Sequence, residues 1–217
     1  MAALRTRLDD EGEPPLYSDD DLIAALNDAV RQASIRKRLL LDRTTAECCI
    51  YAVAAGQAEV ALSPAVLALR SVRWSGSDAP LTLTTLKVMD REQPCWPTDD
   101  QDCPTMVIVD AQTGSIVLYP TPAEAGTLTC AVWRMPLEAE EMEGGGDEPI
   151  IEAHWHRDLI DWAEHYCYLT KDSEAGDPAR AEAAAQRFTA KFGRLPSAME
   201  IRMWGLKHRS GQTAQLL

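Results

Sequence analysis

No stretch of about 18 consecutive apolar residues occurs in this chain of 217 residues, so no membrane-spanning helix is expected. The opening, Met1-Ala-Ala-Leu-Arg-Thr-Arg-Leu-Asp-Asp10, has two arginines but no apolar core of signal-peptide length. Basic residues are scarce: 21 Lys and Arg stand against 34 Asp and Glu, a formal charge of −13. Gripping nucleic acid requires clustered cations that displace counterions, and this balance argues against such a grip. It leaves room for DNA to pass nearby, because an acidic wall repels phosphate. Short catalytic motifs are also missing. There is no GxSxG elbow, no GxxxxGK[ST] loop and no GxGxxG after a strand. The triplet Gly144-Gly-Gly146 sits among acids, where phosphate would be repelled. There is no internal repeat.

The residues that remain as candidates for chemistry fit none of the usual sites. Six cysteines, Cys48, Cys49, Cys95, Cys103, Cys130 and Cys167, are scattered in a chain too large to need staples. They read as reduced thiols of a cytoplasmic protein, mostly small core residues. Cys48 and Cys49 are adjacent, not spaced as CxxC, and on a strand they would face opposite ways. Cys95 and Cys103 could pair only under oxidising conditions. They straddle Asp99, Asp100 and Asp102, which lack the ligand ladder and closing glutamate of a calcium loop. His154 and His156 would point about 200° apart on a helix, and His165 is also badly spaced for a shared metal. Trp155, Trp162, Tyr166 and Tyr168 have Asp158, Asp161 and Glu164 for neighbours, which suits a helical core and rim better than a platform for bases. No catalytic residue, metal or cofactor is assigned.

What is present is a change of period along the chain. Residues 1–17, with Pro14-Pro15, read as a polar arm or extended lead-in. Ser18 and Asp21 form a capping-box pattern, Asp19–Asp21 suit the positive end of a helix, and Leu22, Leu26, Val30 and Ala33 recur at helical spacing, which predicts a helix over 19–39. Strands are predicted at 49–53, 59–62, 66–74, 80–84, 106–109, 115–119 and 127–134, with a helical turn at 86–91, an irregular stretch at 93–104 and a hairpin turn at 110–114. Residues 137–148 hold six acids and no base, and read as a solvated, mobile loop or an acidic surface facing a lumen or partner. Helical period returns with Ile151, Trp155, Leu159, Trp162 and Tyr166. Asp177-Pro178 starts a second helix whose Ala181, Ala185, Phe188 and Phe192 face inward and which Gly193 ends, and Ser197–Lys207 forms a last short one. The expected fold class is α+β, a helical bundle formed by the N- and C-terminal helices with an inserted antiparallel β-domain. Its parts are an arm at 1–17, a helical domain from 18–40 and 149–205, a β-rich domain at 41–136, the acidic loop and a tail at 206–217.

This order of elements resembles the head–tail adaptor (connector) proteins of tailed bacteriophages. The pieces that carry the likeness are Ser18-Asp-Asp-Asp-Leu-Ile with Leu26-Asn-Asp-Ala-Val30, Leu62-Ser-Pro with Val66, Leu86-Lys-Val-Met-Asp90 with Pro94-Cys-Trp96, Ile116-Val-Leu-Tyr-Pro-Thr-Pro122, Gly126-Thr-Leu-Thr, Arg134-Met-Pro136, and His156-Arg-Asp-Leu-Ile-Asp-Trp162 with Tyr168-Leu-Thr-Lys-Asp172 and Phe188, Phe192 and Gly193. They span residues 18–200 and leave out the acidic run and the tail. The resemblance implies a virion structural protein made in the host cytoplasm and placed in the neck. It implies a ring, commonly twelvefold, beneath the portal protein, extending the DNA channel and meeting a tail nozzle, tail tube or tail fibres. DNA would pass without specific binding, and no membrane would be involved. On that reading Trp204, Leu206, Lys207, His208, Arg209, Leu216 and Leu217 are candidates for docking the portal. Glu138, Glu140, Glu141, Glu143, Asp147 and Glu148 are candidates for an acidic channel or partner surface. Two other readings remain: a regulatory protein-binding module, and a metal-dependent hydrolase built on His154, His156 and Asp158 or Asp161.

Overall fold

The computed structural model describes residues 1–170 and 176–207. The elements in chain order are α1 (Ala2–Leu8), α2 (Asp19–Lys37), β1 (Leu41–Asp42), α3 (Ala46–Cys49), β2 (Ile50–Val53), β3 (Glu59–Ala61), β4 (Val66–Trp74), β5 (Thr82–Thr84), α4 (Leu86–Glu92), β6 (Met106–Gln112), β7 (Ser115–Tyr119), β8 (Gly126–Arg134), α5 (His156–Thr170), α6 (Pro178–Phe192), α7 (Ala198–Arg202) and α8 (Trp204–Lys207). The fold is α+β. Two units can be distinguished: Met1–Leu40 with Met135–Pro196, and Leu41–Arg134 with the segment that starts at Ser197.

The helical unit starts from its caps. Ser18 Oγ accepts from Asp21 N at 3.1 Å and Asp21 returns a carboxylate oxygen to Ser18 N at 3.2 Å, so two orphan donors at the start of α2 are satisfied. Asp177 accepts from the amides of Ala179 and Arg180, both at 3.0 Å, and opens α6 with Pro178 in its first turn. α2 buries Leu22, Ile23, Ala25, Ala29, Val30 and Ala33. α5 buries Leu159, Ala163 and Cys167. The small side chains at 163 and 167 let this stripe pack closely, and Tyr166, expected inside, is left exposed. On α6 the inward residues are Ala181, Ala184, Phe188 and Phe192, so Ala184 replaces the expected Ala185.

Residues 1–17 are not an extended arm. α1 buries Leu4 and Leu8, and Tyr17 is buried beyond it. The buried Asp10 carboxylate accepts from Leu16 N at 2.5 Å, Tyr17 N at 3.2 Å and Arg5 Nη1 at 2.7 Å. Tyr17 donates its hydroxyl to Cys167 O at 3.2 Å. The apolar spacing of Leu4 and Leu8 was the missed signal, masked by the polar residues around it.

A carboxylate pair inside this unit is held by three cations from two helices, α1 and α6. Arg7 and Arg187 each bridge Asp161, at 2.9 Å in both cases, and Glu164, at 3.0 and 2.5 Å. Lys191 adds contacts to Asp158 at 2.6 Å and Asp161 at 2.9 Å. Burial pushes the Asp161 carboxyl up, but Arg187 and Lys191 outweigh it and hold the group below its ordinary range.

The β unit contains two sheets. In the first, β8 is central, antiparallel to β4 on one side and to β1 and β2 on the other. The second has the order β3-β7-β6-β5. Its β5–β6 pair is parallel, which corrects the expectation of a purely antiparallel domain. The connection from Thr84 to Met106, through α4 and the proline-rich stretch, is long enough for the crossover that parallel strands need. β6 runs past Val109 to Gln112, which pairs with Ser115, so the hairpin turns at Thr113-Gly114 with Gly114 at φ 77°. Cys48 and Cys49 end α3, a helical turn that runs into β2, so the strand expected from 49 starts at Ile50, and both cysteines are buried. The turn is organised by Asp42, which accepts from Thr44 N at 2.9 Å, Thr45 N at 3.1 Å and Thr45 Oγ1 at 2.6 Å. Arg134 Nε completes the set at 2.6 Å as a buried ion pair.

Residues 197–207 fall in this unit, although the expected helical domain runs to 205. Trp204 is buried with Ala68 and Trp133, the two indoles edge-on with centroids 6.5 Å apart. Gly205 lies so close to β4 that a Cβ there would stand 2.1 Å from Leu69 O.

Candidate docking surfaces

The acidic run is pinned at three places. Asn27 on α2 donates its amide to Met142 O at 2.9 Å and accepts from Met142 N at 3.0 Å, while the Met142 side chain is buried. Glu141 pairs with Arg31 at 2.7 Å, and Glu140 accepts from Leu137 N at 2.8 Å, closing a turn at 138–140. Asp147 accepts from the amides of Glu143 and Gly144, both at 2.8 Å, and these bonds hold its carboxyl below the ordinary range. Glu138, Glu143 and Glu148 are exposed. Of the six acids expected to form a surface, therefore, three take part in folding the segment, and the run keeps its exposed charge at a defined place.

The C-terminal candidates divide differently. Trp204 is 8% exposed and so acts as an anchor, with Leu206 half-buried two residues on. His208, Arg209, Leu216 and Leu217 lie outside the described residues. The anchor has a local cause: Trp204 fills the space beside Ala68, and glycine at 205 permits close approach to the strand.

The histidines are dispersed. His156 Nε2 is 2.8 Å from Ile151 O, His165 Nδ1 is 2.8 Å from Ala181 O, and His154 is exposed near Glu152. Among the described residues, no group of three or more His, Cys, Asp or Glu side chains could hold a metal ion. No helix among them is long and apolar enough to cross a membrane.

A groove in the β unit has no counterpart among the sequence signals. It has a volume of about 380 Å3 and is walled by Leu62, Val66, Leu69, Ile116 and Ile201, with Arg202 and Thr113 at its polar side. Its wall comes from three separate stretches, so no local pattern encodes it. Ser115 also lines it, is 6% exposed, and its hydroxyl has no hydrogen-bond partner among the described residues.

Comparison with known proteins adds one finding. A family model described as SU10 adaptor protein matches residues 1–213, which include the acidic run and most of the tail that the motif likeness left out. No curated protein matches the chain.

Proposed function

The chain belongs to the SU10 adaptor protein family, a phage head–tail adaptor family, and from that premise we propose that it is a structural ring subunit seated beneath the portal. The match over residues 1–213 is the observation that carries this reading. The ring, about twelve copies by analogy with other connectors, extends the DNA channel and offers a platform to a nozzle, tail tube or tail fibres. Its place is the neck of the virion, and its role is assembly rather than catalysis. Exposed Glu138, Glu143 and Glu148 contribute to a wall past which DNA moves without sticking. Trp204 fixes the root of a portal-docking segment that continues through Leu206 and Lys207 into residues 208–217.

The test is the particle mass of the full chain, by native mass spectrometry, alone and mixed with the portal protein of the same phage. A ring-sized complex with a fixed number of copies per portal supports the proposal. A monomer in both samples overturns it.

A further inference from the structure

We infer that the groove of the β unit receives the exposed loop Glu11–Leu16 of a second copy of this chain, with Leu16 entering between the apolar walls and Glu13 meeting Arg202. This rests on the ring reading and names the contact that joins neighbouring copies.

The loop is built as a knob. Residues 11–16 are all exposed, and Leu16 presents its side chain to solvent at 50% exposure. The backbone on either side is fixed: Asp10 is buried and holds Leu16 N and Tyr17 N, Arg5 Nη1 donates to Tyr17 O at 3.1 Å, and Tyr17 is anchored on Cys167 O. Pro14-Pro15 stiffens the approach. An apolar side chain held outward on a preordered loop loses little entropy on docking. Leu195, exposed to a similar degree, follows Arg194 and would bring a like charge towards Arg202.

The groove complements this knob in three ways. Its walls are aliphatic and suit a leucine. Arg202 donates to Thr113 Oγ1 at 2.9 Å and has no carboxylate partner among the described residues, whereas the loop carries Glu11 and Glu13. The buried Ser115 hydroxyl has no partner among the described residues, which is costly unless an incoming backbone group meets it. Knob and groove are separate segments of the chain, so the contact can repeat head to tail, the kind that generates rings when the rotation closes.

The experiment uses the full chain under the ring-forming conditions of the mass measurement. A photo-crosslinking amino acid replaces Leu16, and isotopically labelled and unlabelled copies are mixed so that inter-copy products are recognised. Cross-links to residues 62–69, 109–116 or 198–202 of a different copy are expected. In parallel, Glu13→Arg and Arg202→Glu should each weaken self-association about tenfold, and the double variant should recover most of the loss. Ser115→Ala should raise the thermal unfolding midpoint of the subunit, because the unpaired hydroxyl is gone, and yet weaken association about threefold. A ring that forms but cross-links elsewhere, or that ignores both charge reversals, overturns this contact and leaves the adaptor reading standing. A chain that stays monomeric with and without portal overturns both.

Discussion

Asp42 and Arg134 show how much one buried pair can decide. Burial pushes the Asp42 carboxyl up, yet the donors of Thr44, Thr45 and Arg134 more than reverse this, and its pKa falls well below the ordinary value. An unfolded aspartate titrates near about 3.9. The folded value is lower, so the pair's contribution is complete above that pH and is lost as pH falls below it towards the folded value. Arg134→Met should therefore cost about 3–5 kcal/mol at neutral pH, because it leaves a buried carboxylate unpaired, and should flatten the acid limb of the stability profile. Urea denaturation from pH 7 down to 3 would check both; an unchanged acid limb would assign the pH dependence to other carboxylates, Asp161 among them. At Gly205 the limit is steric. Gly205→Ala would set a methyl group against Leu69 O, a backbone atom, and should lift α8 from β4 at a cost of about 1–3 kcal/mol. Loss of the Trp133–Trp204 contact would appear as a change in tryptophan fluorescence.

The acidic segment teaches the corresponding lesson for elements. Composition made residues 137–148 a loop, and the structure ties the loop down through Asn27 on α2 and through Met142. Asn27→Ala should raise amide hydrogen exchange across Glu141–Asp147 about tenfold or more while leaving the midpoint of global unfolding within a few degrees. If exchange stays slow, Met142 burial and the Arg31–Glu141 pair are the principal restraints. Elements whose signals are local could be read from the sequence. The capping box fixed the start of α2, Asp177-Pro178 opened α6, Gly193 closed it, and the long strands β4 and β8 were bounded within a residue. Features that depend on distant partners could not. Asn27 gives no hint that it will hold Met142, nor Asp42 that it will nucleate a turn for Cys48 and Cys49. The parallel β5–β6 pair follows from how two remote strands meet, and the groove from three stretches that only the fold assembles. Among the candidate docking residues, Trp204 is an internal anchor, and its contact with the distant Ala68 and Trp133 has no local sequence signal.

For the molecule as a whole, charge and connectivity matter most. A chain of net charge −13 should not retard a DNA fragment in a gel even at about 50 mM salt and micromolar protein, where phosphate contacts are strongest. A salt-sensitive shift would mean that a basic patch prevails over the net charge, and would weaken the case for DNA passing freely. The two units are each made from two lengths of chain, and along the sequence Leu41–Arg134 interrupts the helical unit. Synthesis runs from the N-terminus, so α1 and α2 leave the ribosome well before α5, whose Leu159, Ala163 and Cys167 contribute to their core. At roughly 10 residues per second, α2 waits on the order of 10 s with its apolar face uncovered. Meanwhile the strands from β1 to β8 can already pair. A nascent chain stalled once β8 has cleared the ribosome, but before α5 has, should therefore carry a protected sheet behind an α2 that is open to chaperones and proteases.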